Sequence, residues 1–291
     1  RMAELALLVK LLPEEIRRRV DKKEYAEVLV LARQHRELFK KGWIDPAFLM
    51  DIAAAYQHIG IFGEAQKLYL YLIETVPVDK KEQYYLPMIE ACLNNGNYGL
   101  VDEYAAQYSY NYPHGTYSDQ ILFRRLQALV AYESFTEALN LVPTPLPRHN
   151  GICSIAAALF YQKDNYRKSS ELYELLSESD YSFSESDLIM YGESLFQTGH
   201  YDQAENVYLQ IDGNSPFFNQ SLYRLSEIER RKGDEENSLR FLGKIVDTGN
   251  KDLWQRYALE ELQYAETTAY IKSISPAIQM TPVIETAENR D

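Results

Sequence analysis

Two cysteines in 291 residues, Cys92 and Cys153, are too few for a disulfide-dense framework or for a zinc site built from this chain. Both lie in apolar contexts as small core residues, and they do not distinguish a reducing compartment from an oxidising one. Five histidines, at 35, 58, 114, 149 and 200, form no HExxH or comparable ligand pair. The phosphate-binding GxxxxGK[ST], the GxSxG nucleophile motif and the zinc-protease motif are all missing. Asp234, Glu235 and Glu236 follow Gly233 in a turn-like segment, where they suit helix capping better than paired acid and base work. The expectation is a non-enzymatic chain with no cofactor and no metal; the alternative is a hidden enzymatic module whose Ser and His groups meet only through tertiary structure.

Long apolar runs are lacking too, and no stretch approaches the roughly 18 residues of a membrane helix. The chain opens Arg1-Met2, the mark of a trimmed fragment, so a missing leader says little of the full-length product. Both a periplasmic or envelope location and a cytoplasmic one stay open. Positive charge is scarce outside the first 41 residues, which hold 11 Lys or Arg against 7 Asp or Glu, a local +4 within a total of −13, so the rest carries −17. That body repels phosphates and shows no repeated base-reading pattern, which argues against specific nucleic-acid binding and leaves low-specificity RNA binding through Arg17–Arg19, Lys22, Lys23, Arg33, Arg36, Lys40 and Lys41 as a minor alternative. A basic partner suits it better than an acidic one.

What is plentiful is tyrosine, 24 residues against 11 Phe and 2 Trp. The ring fills helix seams while the hydroxyl reaches water or a carbonyl, and the same chemistry serves interfaces. In residues 45–79, Asp45 can cap a helix and Pro46 fits its first turn. Leu49, Ile52, Ala53 and Tyr56 mark one helical face, Gly60 a turn, and Ala65, Leu68, Tyr69 and Leu72 a second helix before Pro77. The pattern recurs at 82–115 (Tyr85, Ile89, Cys92, Gly96, Ala105, Pro113) and at 185–216 (Leu188, Gly192, Leu195, Gly199, Ala204, Tyr208, Pro216). Looser copies occupy 119–145, with Glu133 in place of the turn glycine, 150–183, with Asp164-Asn165 at the turn, and 219–248, with Gly233-Asp234. Small Gly192 and Ala204 would let helix backbones approach closely.

Proline divides the pattern in two places. Residues 2–12 read as a short helix before Pro13, followed by helices over 14–20 and 24–39. The 143–151 stretch, PTPLPRHNG, interrupts the array and is expected to turn one superhelix rather than to separate two free blocks. The expected organisation is an N-terminal helical extension over 1–45, six repeats over 46–248, a capping helix over 249–272 and a tail over 273–291.

The recurring Gly, aromatic, Ala, aromatic and Pro positions, about 34 residues apart, resemble the tetratricopeptide repeat. The resemblance covers about residues 46–248 and implies an all-α fold, a right-handed superhelix of stacked helix-turn-helix repeats. In that family the first helices line a concave channel that receives an extended peptide or a partner helix. Carried onto this chain, the geometry places Met50, Leu86, Phe123, Ile189 and Tyr223 inward, with Glu90, Gln127, Glu193 and Glu227 one turn farther on and Tyr161 and Phe196 nearby. These are apolar recesses edged by acceptors, suited to a protein or peptide with apolar anchors and basic flanks. The family's clamp for terminal carboxylates needs cations where this chain has apolar or acidic residues; Arg230 and Arg231 alone do not recreate it. The implied role is a protein–protein interaction scaffold or adaptor, with an envelope assembly as one setting. A homo-oligomeric structural subunit whose groove is filled by its own tail, through Ile274, Ile278, Val283 and Ile284, is the alternative.

Overall fold

The computed structural model describes residues 2–40 and 48–279. The described residues fold into sixteen α-helices, joined by turns and short loops, with no strand among them. The contacts divide the chain into two compact units, Arg1–Leu159 and Phe160–Asp291, with the division falling inside one helix, Asn150–Gln162. The expected cap Asp45, the first-turn Pro46, Lys41 of the basic set, and Val283 and Ile284 of the tail lie outside the described residues.

The first unit begins with α1 (Met2–Asp21), α2 (Tyr25–Gln34) and α3 (Arg36–Lys40). Three helical pairs follow: α4 (Leu49–His58) with α5 (Phe62–Thr75), α6 (Val78–Asn94) with α7 (Tyr98–Asn111), and α8 (Ser118–Ala131) with α9 (Phe135–Leu141). Helix α10 (Asn150–Gln162) begins at the end of the proline-rich stretch, of which 143–149 carry no helix. In the second unit, α11 (Tyr166–Ser177) precedes α12 (Glu185–Gln197) with α13 (Tyr201–Tyr208), α14 (Phe218–Lys232) with α15 (Glu235–Asp247), and the terminal α16 (Leu253–Gln279).

Among the described residues one turn recurs seven times. Lys23, Gly60, Gly96, Glu133, Asp164, Gly199 and Gly233 all have positive φ, between 56° and 86°. At each, the next residue's N–H reaches back to a carbonyl five positions earlier, as in Ile61 to Tyr56, Asn97 to Cys92, Ser134 to Leu129 and His200 to Leu195. This is the Schellman closure, which satisfies carbonyls left open at a helix end and reverses the chain into the next helix. Glu133 and Asp164 thus close the same turn as the glycines they replace, and Lys23 shows that α1 and α2 form a pair of the same kind.

Three sequence boundaries differ. Helix α1 runs through Pro13 without a break, although proline lacks the N–H that would bond a turn back. Leu12 and Ile16 are both buried against Val28 and Ile52, so one apolar face continues across the proline, and that burial outweighs the lost bond. Pro87 sits inside α6 in the same way, between buried Tyr85 and Met88. The expected helix over 24–39 divides into α2 and α3 at His35. At the other end, α16 continues to Gln279, past the 249–272 span expected of a cap.

Cores are built from the facing stripes of paired helices. In the first unit, Ala53, Ala65, Tyr69, Tyr85, Ile89, Cys92, Val101, Ala105 and Tyr108 form one continuous cluster. Alanine at 65, 105 and 138 is fully buried, which brings neighbouring helix backbones close. In the second unit Gly192 and Ala204 do the same beside Tyr208, and Leu222, Leu225, Ile228, Leu242, Ile245 and Ala258 extend the core to α16.

Candidate functional site

The candidate residues fall into both units. In the first unit Met50 lies on α4, Leu86 and Glu90 on α6, and Phe123 and Gln127 on α8, all half-buried. Met50 and Leu86 pack along the edge of the main core cluster. Glu90 and Gln127 are drawn together by an arginine that sequence reasoning left out. Arg124 donates through Nε and Nη2 to Glu90 Oε1, at 3.2 and 2.8 Å, and through Nη1 to Gln127 Oε1 at 3.0 Å. Its guanidinium also lies 5.3 Å from the centre of the Phe123 ring. The ring is also met by His149, 5.0 Å away, and a Cβ on Gly151 would stand 2.5 Å from Phe123 Cε2.

The second unit repeats the chemistry with deeper burial. Ile189, Glu193 and Phe196 on α12 are only 6%, 4% and 6% exposed, so the chain itself covers most of the surface expected to meet a ligand. Arg224 on α14 meets two of them, Glu193 and Phe196. Its Nε donates to Glu193 Oε1 at 2.7 Å, its Nη1 to Glu227 Oε2 at 2.5 Å, and its guanidinium lies 4.9 Å from the Phe196 ring centre. Gln220 adds a second donor to Glu193 at 3.1 Å. Burial and then the negative Glu193 push the Tyr161 hydroxyl above its ordinary range.

Tyr223 is half-buried between aromatic neighbours on α16, with its ring 5.4 Å from Trp254 and 6.0 Å from Tyr257. Its hydroxyl donates to Glu261 Oε1 at 2.6 Å, and burial with that carboxylate holds the phenol protonated well above the usual tyrosine range. Arg230 pairs with Glu261 as well, while Arg231 lies over Phe196 and Tyr201. Neither forms part of a carboxylate clamp.

The acceptors at 90, 193 and 227 are therefore internally neutralised rather than free. Glu90 and Arg124 are 34 residues apart, Glu193 and Arg224 are 31 apart, and Arg17 meets Asp51 at 34. Each pair ties the first helix of one repeat to that of the next. Opposite charges one repeat apart at matching register were the sequence signal for Arg124 and Arg224. The N-terminal basic cluster is similarly engaged: Arg17 pairs with Asp51, Arg18 and Arg19 with Glu15, and Arg19 also with Glu24 and Glu27.

Nothing among the described residues arranges reactive groups for catalysis with a metal: no cluster of three or more His, Cys, Asp or Glu is placed to hold an ion. Cys92 and Cys153 are free and buried, and burial pushes the Cys92 thiol up to about 12. Asp234 is an N-cap, accepting from the Asn237 N–H at 3.0 Å, and that bond lowers its carboxyl below the ordinary value. No described helix is long and apolar enough to cross a membrane.

No protein-family model matches the chain. A stretch of 151 residues, half of the chain, is 30% identical to the tetratricopeptide repeat protein 30 homolog of Caenorhabditis briggsae and spans 22% of that protein's length. Among solved structures, a tetratricopeptide repeat protein of Parabacteroides merdae aligns with 88% of this chain and 97% of its own at a TM-score of 0.51 and 14% identity. YrrB, a tetratricopeptide protein with an unusual peptide-binding site, aligns with 66% of this chain and 97% of its own at 0.53 and 13%. The pilF protein of Pseudomonas aeruginosa does so over 74% and 97%, also at 0.53 and 13%. These likenesses show the fold: an all-α stack of paired helices of the tetratricopeptide kind.

Proposed function

We propose that this chain, a tetratricopeptide-like array, is a non-enzymatic interaction scaffold that binds an extended peptide or a partner helix along the first helices of its repeats. The observation that carries the reading is the recurrence of half-buried apolar side chains at matching places, Met50, Leu86 and Phe123 in the first unit and Tyr223 in the second, beside arginine–carboxylate pairs. A half-buried apolar group still offers surface to an anchor, and a neutralised ion pair next to it offers donors and acceptors to a peptide backbone. In the first unit Gln127 lies one turn on from Phe123; in the second, Glu227 lies one turn on from Tyr223. In the second unit the buried Ile189 and the buried Glu193 and Phe196, both met by Arg224, form a rigid part of the α12 face.

The apolar anchors supply the affinity, and the −17 of residues 42–291 favours a partner with basic flanks through its long-range field. YrrB, with the same fold, binds a peptide at an unusual site, which supports a peptide ligand here.

Fluorescence anisotropy against a panel of labelled peptides with apolar anchors and basic, neutral or acidic flanks tests the reading. Saturable one-to-one binding, strongest for basic flanks and weakened in Phe123→Ala and Tyr223→Ala proteins of unchanged circular dichroism, is expected. Binding by no peptide in the panel, or binding indifferent to both substitutions, removes the groove reading.

A further inference from the structure

Helix α16 is 27 residues long, whereas α12 and α14, the first helices of the two preceding pairs, have 13 and 15. One side of it is packed within the unit: Ala258 is fully buried, and Trp254, Glu261, Leu262 and Ala265 are partly buried. Another side carries Leu253, Tyr257, Glu260, Tyr264, Thr267 and Ile271 in alternating steps of four and three. That is the heptad spacing at which a helix keeps one seam turned to a partner helix. All six are exposed, with Leu253 at 44%, Tyr264 at 75% and Ile271 at 55%. From Leu253 to Ile271 the seam is about 27 Å long.

The seam is complementary to itself in one direction. Laid antiparallel on a second copy about a two-fold axis at Leu262, Leu253 meets Ile271, Tyr257 meets Thr267 and Glu260 meets Tyr264, and symmetry supplies every pair twice. Apolar side chains then oppose each other at both ends, while at the centre a carboxylate faces a phenol that can donate to it. A parallel pairing sets Glu260 against Glu260, two like charges in an apolar seam. We propose that α16 is a dimerisation helix on which a second copy of this chain docks antiparallel along the Leu253–Ile271 seam.

Sedimentation of the whole chain over a concentration series, with cross-linking of single-cysteine variants, tests this. Leu253→Cys and Ile271→Cys proteins, one of them tagged, are mixed and mildly oxidised; the native Cys92 and Cys153 are buried, and the unsubstituted protein is the control. The expected product is the mixed 253–271 disulfide, with a dimer whose dissociation constant rises about tenfold or more in Ile271→Glu. Ile271 is exposed, so this charge leaves the monomer fold in place, which circular dichroism checks. A chain that sediments as a monomer throughout, cross-links only between like variants, or an Ile271→Glu protein that associates as before would each overturn the proposal.

Discussion

Gly192 on α12 lies so close to the ring of Tyr208 on α13 that a Cβ added to it would stand 2.5 Å from Tyr208 Cε1. The preceding residue on α12, Tyr191, is itself buried, its ring 5.5 Å from that of Tyr173 on α11, so α12 is packed against both neighbouring helices at this point. Gly192→Leu is therefore expected to destabilise the chain by about 1 to 3 kcal/mol or more, through off-rotamer side chains and separated helices. Ala204→Leu, at a position with no exposure, is expected to act in the same direction. Chemical denaturation of both proteins checks this, and midpoints unchanged from the parent would contradict the packing described for this pair.

The turns give an opposite expectation. Glu133 holds φ at 58°, a left-handed conformation in which a side chain with a Cβ is strained. Glu133→Gly is expected to stabilise the protein by about 0.5 to 1 kcal/mol, after the greater freedom of glycine in the unfolded chain is set against the relieved strain. At Gly199, where φ is 82° and no atom lies within 4 Å of an added Cβ, alanine is expected to cost about 1 kcal/mol from backbone strain alone. Thermal unfolding of the two variants should shift in opposite directions.

How far these features were legible in the sequence depends on the distance over which each is encoded. Gly60, Gly96, Gly199 and Gly233 announce a turn locally, and the apolar period on either side fixes the helices, so the paired-helix fold was readable. Glu133 and Asp164 carry no local turn signal of that strength, and their place followed from the period of their neighbours. Pro13 misled because a proline's lost bond is a local cost, while the face shared by Leu12 and Ile16 is covered by residues far along the chain. The candidate acids were read as free acceptors for a similar reason. Glu193 meets Arg224 only once two successive repeats stack, and a helix face read alone shows its charge without its partner.

That pairing carries a further prediction. The Glu193 side chain is 5% exposed and that of Arg224 20%, whereas Glu90 and Arg124 are 29% and 32% exposed. Removing one partner from a buried pair strands a desolvated charge, which costs about 3 to 5 kcal/mol; at a half-exposed pair, water replaces most of the interaction and the cost is about 0 to 1 kcal/mol. Arg224→Met should therefore be the much more damaging of Arg224→Met and Arg124→Met in urea unfolding. Adding Glu193→Gln to Arg224→Met should recover a large part of the loss, because the stranded charge is then gone. Equal effects at the two sites would mean that Glu193 is hydrated in solution.

Alkaline pH should unfold the chain through its tyrosines. Tyr108 is 1% exposed, its hydroxyl donates to Glu82 Oε1 at 2.9 Å and accepts from the Tyr117 N–H at 2.9 Å, and burial pushes it from the ordinary 10.0 up to about 12. Burial also raises Tyr69, Tyr85, Tyr173 and Tyr208. For such a group the unfolded chain loses its proton first, so the stabilisation is complete below pH 10 and is lost as pH rises through the folded value near 12 for Tyr108. Tyrosinate absorbance and helical circular dichroism, followed together through that range, should show the buried set ionising only as the helices melt. In Tyr108→Phe the alkaline fall in stability should be shallower, since one of the protons released on unfolding is missing. Full tyrosine ionisation at unchanged helicity would show that water reaches these rings in the folded state.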